Sequence, residues 1–326
     1  MASWRVLCLI AAAAFAAPAA ASPAVGVVER DLTAPSPALG KPIRYSLYRP
    51  AAPPARGERW PVLYLLHGGG PGEADWLDAG GLAATMDRAI AEGRMPPTVV
   101  VMPYAGNSWY VDNPDAQGEG TMETALTRDL VAAVDARLPT ANCRQARAVA
   151  GLSMGGYGAL LFAFDKPTRY GFAISLSGSI AQPLGPQMTT RLKRARTFYD
   201  GAFGTPFKRA RFNAWNLFPK AQKLALRRYK PAVYLNAGDK DPGGIVQGTT
   251  EMHLALLRSQ VPSKLTIVSG EHDWALWRRE LGPALDWLGP QLDPTCGAAV
   301  AGAPSAPARH AAVDGTTDGE ADAASR

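Results

Sequence analysis

The chain is sparing with the residue types that most often carry chemistry. It has three cysteines and four histidines in 326 residues. Cys8 falls inside an N-terminal apolar run, which leaves Cys143 and Cys296 and at most one disulfide. Neither sits in a motif with a base, so a catalytic thiol is set aside. Acidic side chains are almost missing from one stretch: between Arg191 and Lys230, twelve Lys or Arg stand against a single acid, Asp200. No nucleic-acid-binding motif accompanies these cations, which excludes nucleic acid as a partner; a solvated basic face or a field for anions remains. After the N-terminal run no apolar stretch is long enough to span a bilayer, so stable membrane insertion is excluded. Internal repeats are absent.

The chain has 47% hydrophobic and 19% charged residues, enough for a sizeable core. Met1–Arg5 carries one basic side chain, Val6–Ala17 is uninterrupted apolar sequence, and Pro18–Ala21 offers small residues. These features predict a secretory signal peptide over 1–21, cut after Ala21, and hence an exported protein, periplasmic or extracellular. Nothing resembling a lipobox precedes Cys8. In an oxidising compartment Cys143 and Cys296 are expected to pair, the alternative being two buried free thiols. From Gly297 onward the Ala, Gly, Pro, Asp and Ser composition predicts a disordered tail over 297–326. The domain is therefore expected over 22–296, with 191–230 as a basic, cap-like insert.

Within it, short apolar runs alternate with helical patterns. Val27–Leu32, Ile43–Arg49, Val62–Leu66, Thr98–Met102, Ala148–Ala150, Phe172–Leu176, Val233–Asn236 and Leu265–Val268 read as strands. Leu82–Ala91, Met122–Leu138, Glu251–Leu257 and Trp274–Leu288 read as helices. Alternation of this kind predicts an α/β architecture: a mostly parallel central sheet with helices on both faces.

One stretch organises the rest. Arg147–Leu160 reads RAVAGLSMGGYGAL, in which a strand enters G-x-S-x-G and continues as a helix. That context is a nucleophile elbow: a sharp turn raises Ser153 above the sheet edge, and the helix begins beneath it. A plain small-residue turn is the bland alternative, and the remaining partners decide. A serine hydroxyl needs a base. His310 lies in the tail, His253 on a helix, and His67 opens a glycine run where it suits the shaping of a loop. His272, directly after the last strand, is left as the base. Two carboxylates at the end of the preceding strand, Asp239 and Asp241, compete to orient it, with Asp241 favoured because Asp239 sits where it can cap the turn. Asp273 suits a helix cap. The oxyanion donors expected are the backbone N–H groups of Met154 and of Gly69, in the His67-Gly68-Gly69-Gly70 loop. No Lys-Ser/Thr follows those glycines, so a phosphate loop is rejected. Trp76, just after the loop, is expected to line the substrate pocket. No metal ligand set is read from the chain.

LLHGGG…DW (Leu65–Gly70, Asp75-Trp76), AGLSMGGYGAL, the strand-end GDKD and GEHDWALWR (Gly270–Arg278) together resemble the esterase D family over about Val28 to Leu288. The resemblance implies an α/β-hydrolase fold and a Ser153–Asp241–His272 triad, without metal or organic cofactor. It also supports Asp241 over Asp239. It implies hydrolysis of a small-molecule or carbohydrate ester through an acyl-enzyme. Antigen 85 acyltransferases are relatives but lack the HGGG sequence, which weakens that alternative; a non-catalytic binding protein is the other.

Overall fold

The computed structural model describes residues 25–70, 72–113, 115, 119–186, 199 and 201–297. The expected signal peptide, the tail beyond Gly297, and residues 191–198 and 200 of the expected insert lie outside the described residues.

Eight strands form one sheet in the order β1-β2-β4-β3-β7-β8-β9-β10. They are β1 (Val27–Ala34), β2 (Ile43–Arg49), β3 (Val62–Leu66), β4 (Val99–Pro103), β7 (Arg147–Leu152), β8 (Phe172–Leu176), β9 (Ala232–Gly238) and β10 (Ser263–Val268). Two-residue strands β5 (Asp112–Asn113) and β6 (Gly120–Thr121) make a separate ribbon. β1 and β2 run antiparallel at one edge, and β4, β3, β7, β8, β9 and β10 are mutually parallel. The expected mostly parallel sheet is therefore present.

The continuous apolar runs of the central strands have a simple cause: both faces are covered. Val62, Tyr64 and Leu66 point into one core, whereas Leu63 and Leu65 point into the other. Val99 and Val101 alternate with Val100 and Met102 in the same way. Each such side chain, fully buried, contributes roughly 1.5–3 kcal/mol. The first core is closed by α3 (Leu130–Arg137), by α4 (Met154–Asp165) and by α7 (Gly243–Arg258). The second is closed by α2 (Leu82–Ala91) and α8 (Trp274–Leu288). The helix expected over Met122–Leu138 is interrupted by a π turn, Ala125–Asp129. That turn carries the buried Asp129 carboxylate, which accepts from Ser36 Oγ (2.7 Å) and the Ala38 N–H (2.9 Å).

Of the expected insert, the described part includes α5 (Arg209–Ala214) and α6 (Leu217–Lys223). Its basic charge is neutralised in part from outside: Arg211 and Lys208 pair with Asp115, and Lys220 with Asp165. Cys143 and Cys296 are joined by a disulfide, with 5.8 Å between their Cα atoms. It ties the segment after α8 to the short turn that feeds β7. Among the described residues no helix is long and apolar enough to cross a membrane.

The register fixes where chemistry can gather. Leu66 pairs with Gly151, Leu152 with Leu176, Leu176 with Asn236, and Val268 with Gly238. The C-terminal ends of β3, β7, β8, β9 and β10 are thus level, and the segments after them converge on one edge of the sheet.

Candidate active site

Ser153 occupies the turn between β7 and α4 with φ 52° and ψ −115°, a positive-φ conformation that a non-glycine residue adopts only under constraint. The flanking glycines show what the constraint is. A Cβ on Gly151 would lie 2.4 Å from the Gly155 backbone, and one on Gly155 would lie 2.5 Å from the His67 carbonyl oxygen. G-x-S-x-G is therefore required by the close passage of strand, turn and helix. Met154 opens α4, so its N–H has no partner one turn back in the helix.

The structure brings Ser153, His272 and Asp241 together. His272 Nε2 lies 3.0 Å from Ser153 Oγ, and His272 Nδ1 lies 2.6 Å from Asp241 Oδ1. The consistent proton arrangement has Nδ1–H donating to the carboxylate and Nε2 accepting from the serine hydroxyl. The Asp241 side chain is fully buried, whereas that of His272 is 26% exposed. Burial pushes the Asp241 carboxyl up, but the hydrogen bonds from His272 (2.6 Å) and from the Gly238 N–H (2.8 Å) outweigh that. Together they hold it below the usual carboxylate range. The Trp277 indole and the His272 ring pack at right angles, 4.9 Å between centroids. Asp239 does not reach the histidine: it accepts from the Gly270 N–H at 3.0 Å. Asp273 caps α8, accepting from the Leu276 N–H at 2.9 Å. His253 meets Ser263 Oγ through Nδ1 at 3.0 Å, away from this site.

The glycine loop after β3 runs beside the nucleophile. A Cβ on Gly68 would come 3.6 Å from Ser153 Cβ and 2.6 Å from Leu152 Cδ1. His67 shapes this loop, as its position suggests. The buried ring accepts the Ala105 N–H at Nε2 (3.0 Å), which leaves the proton on Nδ1 to donate to the Gly68 carbonyl (2.7 Å). Burial lowers the His67 pKa, in keeping with this neutral tautomer. With its carbonyl turned to His67, the Gly68–Gly69 peptide is fixed relative to Ser153. The Tyr110 hydroxyl adds a bond to the His67 carbonyl (2.9 Å).

Trp76, expected at the pocket, is held beneath the glycine loop. It is 1% exposed, its Nε1–H donates to the Leu66 carbonyl (2.9 Å), and its ring packs edge-on against Trp274 (5.3 Å). The short helix α1 (Asp75–Asp78) turns the indole under the loop, where its N–H finds the carbonyl that ends β3.

Two residues beyond the sequence reading stand at the site, both on the segment after β8. Ser177 is buried with φ 47°. Ser179 Oγ lies 3.4 Å from Ser153 Oγ, and its N–H donates to the Ser153 carbonyl (3.0 Å). No local pattern marks either; they arrive because β8 pairs beside β7. Among the described residues no group of three or more His, Cys, Asp or Glu converges as a metal site would.

Comparison with known proteins matches residues 36–288 to a family model described as "Putative esterase". The chain is 35% identical over 127 residues to an endo-1,4-beta-xylanase/feruloyl esterase of Xylanibacter ruminicola, a stretch covering 39% of this chain but only 18% of that protein. It is 24% identical over 241 residues to an acetyl esterase of Caldicellulosiruptor saccharolyticus, covering 71% of this chain and 84% of that one. Among solved structures, a ferulic acid esterase superposes with a TM-score of 0.66 at 23% identity, over 82% of this chain and 100% of the other.

Proposed function

The chain belongs to this esterase family and has an α/β-hydrolase fold; from that premise we propose that it is a carboxylic ester hydrolase, an exported serine esterase working through an acyl-enzyme on Ser153. The observation that carries the reading is the unbroken line from Asp241 Oδ1 to His272 Nδ1 (2.6 Å) and from His272 Nε2 to Ser153 Oγ (3.0 Å). His272 takes the Ser153 proton as Oγ attacks the ester carbonyl. Asp241, already ionised, holds the ring in the required tautomer and stabilises the imidazolium. The tetrahedral oxyanion accepts from the Met154 and Gly69 N–H groups, each worth on the order of 2.7–4 kcal/mol. The C–O bond to the alcohol breaks, and the alcohol leaves with the proton from His272. Water then gives its proton to His272, attacks the acyl-enzyme, and releases the acid with Ser153 restored. The N-terminal apolar run and the Cys143–Cys296 bond support export to an oxidising compartment. The residues 22–296 form the esterase domain, with the basic 191–230 segment serving as its cap.

Hydrolysis of p-nitrophenyl acetate by the wild type beside Ser153→Ala tests the reading. Turnover that disappears in the variant with an unchanged melting temperature supports it; turnover retained by Ser153→Ala overturns it. Ester product formed from an added acceptor alcohol in place of acid would identify an acyltransferase.

A further inference from the structure

Resting on the serine-esterase reading above, we propose that the small aromatic cavity behind Ser179 receives the acyl group, and that it limits the enzyme to acetyl-sized acyl groups. An acyl carbon bonded to Ser153 Oγ, with its oxygen turned to the Met154 and Gly69 amides, still has one substituent to place. Ser179 touches both sides of that problem. Its Oγ is 3.4 Å from Ser153 Oγ, and it forms part of the lining of a cavity walled by Trp109, Tyr157, Phe203, Phe212 and Leu217. Most of the wall is apolar and suits a hydrocarbon group, while Ser179 and Asn216 are its polar members and Ser179 stands next to the reacting carbonyl.

Size decides which hydrocarbon. The cavity measures about 10 Å³, which holds roughly one water-sized group. A methyl group fits; a phenyl ring or a longer alkyl chain does not.

The walls are also held against easy opening. Trp109 lies edge-on to Tyr157 (5.8 Å) and Phe203 packs on Phe212 (5.2 Å), with Phe203 only 1% and Phe212 5% exposed. The Tyr157 hydroxyl donates to the Trp215 carbonyl (2.8 Å), and Asn216 Nδ2 donates to the Ala181 carbonyl (2.8 Å). Those bonds tie the segment bearing Phe212 to α4 and to the strand-end segment bearing Ser179. The aromatic lining, which invites an aromatic acyl group on composition alone, thus acts as a stop.

The test is kcat/KM for p-nitrophenyl acetate, butyrate and octanoate and for methyl ferulate, with Ser153→Ala as the blank. Wild type is expected to favour acetate over octanoate and ferulate by about 100-fold or more, the scale on which a filled apolar pocket rejects extra carbon. Phe212→Ala removes one wall and is expected to raise the octanoate-to-acetate ratio by at least about tenfold. Phe212→Leu, which keeps an apolar side chain in the insert, shifts the ratio the same way by less and serves if Phe212→Ala does not fold. Serine-dependent turnover with a flat profile, or with octanoate or ferulate preferred, overturns the pocket assignment and leaves the esterase reading standing. So does a ratio unmoved in both variants. No turnover on any ester overturns both.

Discussion

The two sides of Ser153 are built on different physics. On the side of the glycine loop, four backbone groups near the nucleophile are held by directed bonds from side chains. His67 holds the Gly68 carbonyl and the Ala105 N–H, Tyr110 the His67 carbonyl, and Trp76 the Leu66 carbonyl. On the side of Ser179, aromatic rings from the insert lie against Trp109 and Tyr157, and shape comes mainly from packing. Directed bonds set distances to tenths of an ångström, which an oxyanion hole needs. Packing sets volume, which selects among acyl groups and tolerates exchange of side chains. The comparison teaches that reaction and selectivity are separable here: one is locked into the sheet edge, the other is carried by an insert.

Breaking the locked side is expected to cost most. Ser153→Ala or His272→Ala should lower kcat by about 10⁴-fold or more with the melting temperature kept, as read from steady-state kinetics and calorimetry. Gly155→Ala comes next, because its Cβ would meet the His67 and Leu66 carbonyl oxygens at 2.5 and 2.6 Å, and backbone cannot give way as a side chain can. We expect a loss of about 100-fold in kcat/KM, the scale of a misplacement near 1 Å, together with a lower melting temperature. The Phe212 variants on the packed side should by contrast show chiefly in the octanoate-to-acetate ratio, which sharpens the division.

A smaller effect separates positioning from bulk structure. His67→Asn, which still offers a donor to the loop, should lower kcat about tenfold while leaving KM for acetate esters near the wild-type value. It should also change the dependence of stability on pH. Burial lowers the His67 pKa in the folded state, so the unfolded chain binds that proton first as pH falls. Wild type is therefore expected to lose stability as pH drops below about 6.5, the ordinary histidine value, and the His67→Asn variant to lose less over the same window. The Asp241 carboxylate acts lower and independently. Its native pKa is depressed, so its contribution is intact above about 3.9 and is lost as pH falls below that through the native value. Chemical denaturation measured across pH checks both. Least of all should Cys143→Ser affect kinetics: it releases a crosslink between residues 153 apart in sequence and should cost about 2–5 kcal/mol of stability with kcat unchanged.

What the sequence made legible follows from how local each signal is. The buried strands announce themselves as apolar runs, and β3 and β8 fall where those runs lie, because both their faces are covered. The elbow is a single short motif whose glycines are forced by contacts within it and with the neighbouring strand. His272 emerges because histidines are few. Asp239 and Asp241 are two residues apart at one strand end, and residue types alone leave them in competition. The turn-capping position of Asp239 and the resemblance both favour Asp241, and the geometry shows the difference, since Asp239 is occupied with the Gly270 N–H. Nearness of Trp76 in sequence to the glycine loop does not say which way α1 turns the indole, and its bond to the Leu66 carbonyl comes from that turn. Ser177, Ser179 and Phe212 carry no spacing signal at all. They reach the site through the pairing of β8 beside β7 and through the fold of the insert, both long-range events.

The central claim is that Ser153 carries the acyl group. Acid-quenched mass spectrometry of the protein mixed with p-nitrophenyl acetate, followed by peptide mapping, tests it most directly. The account predicts an acetyl group on the peptide containing Ser153 during turnover, absent from Ser153→Ala and decaying once substrate is spent. Acetylation confined to another residue, or steady turnover by Ser153→Ala, would contradict it.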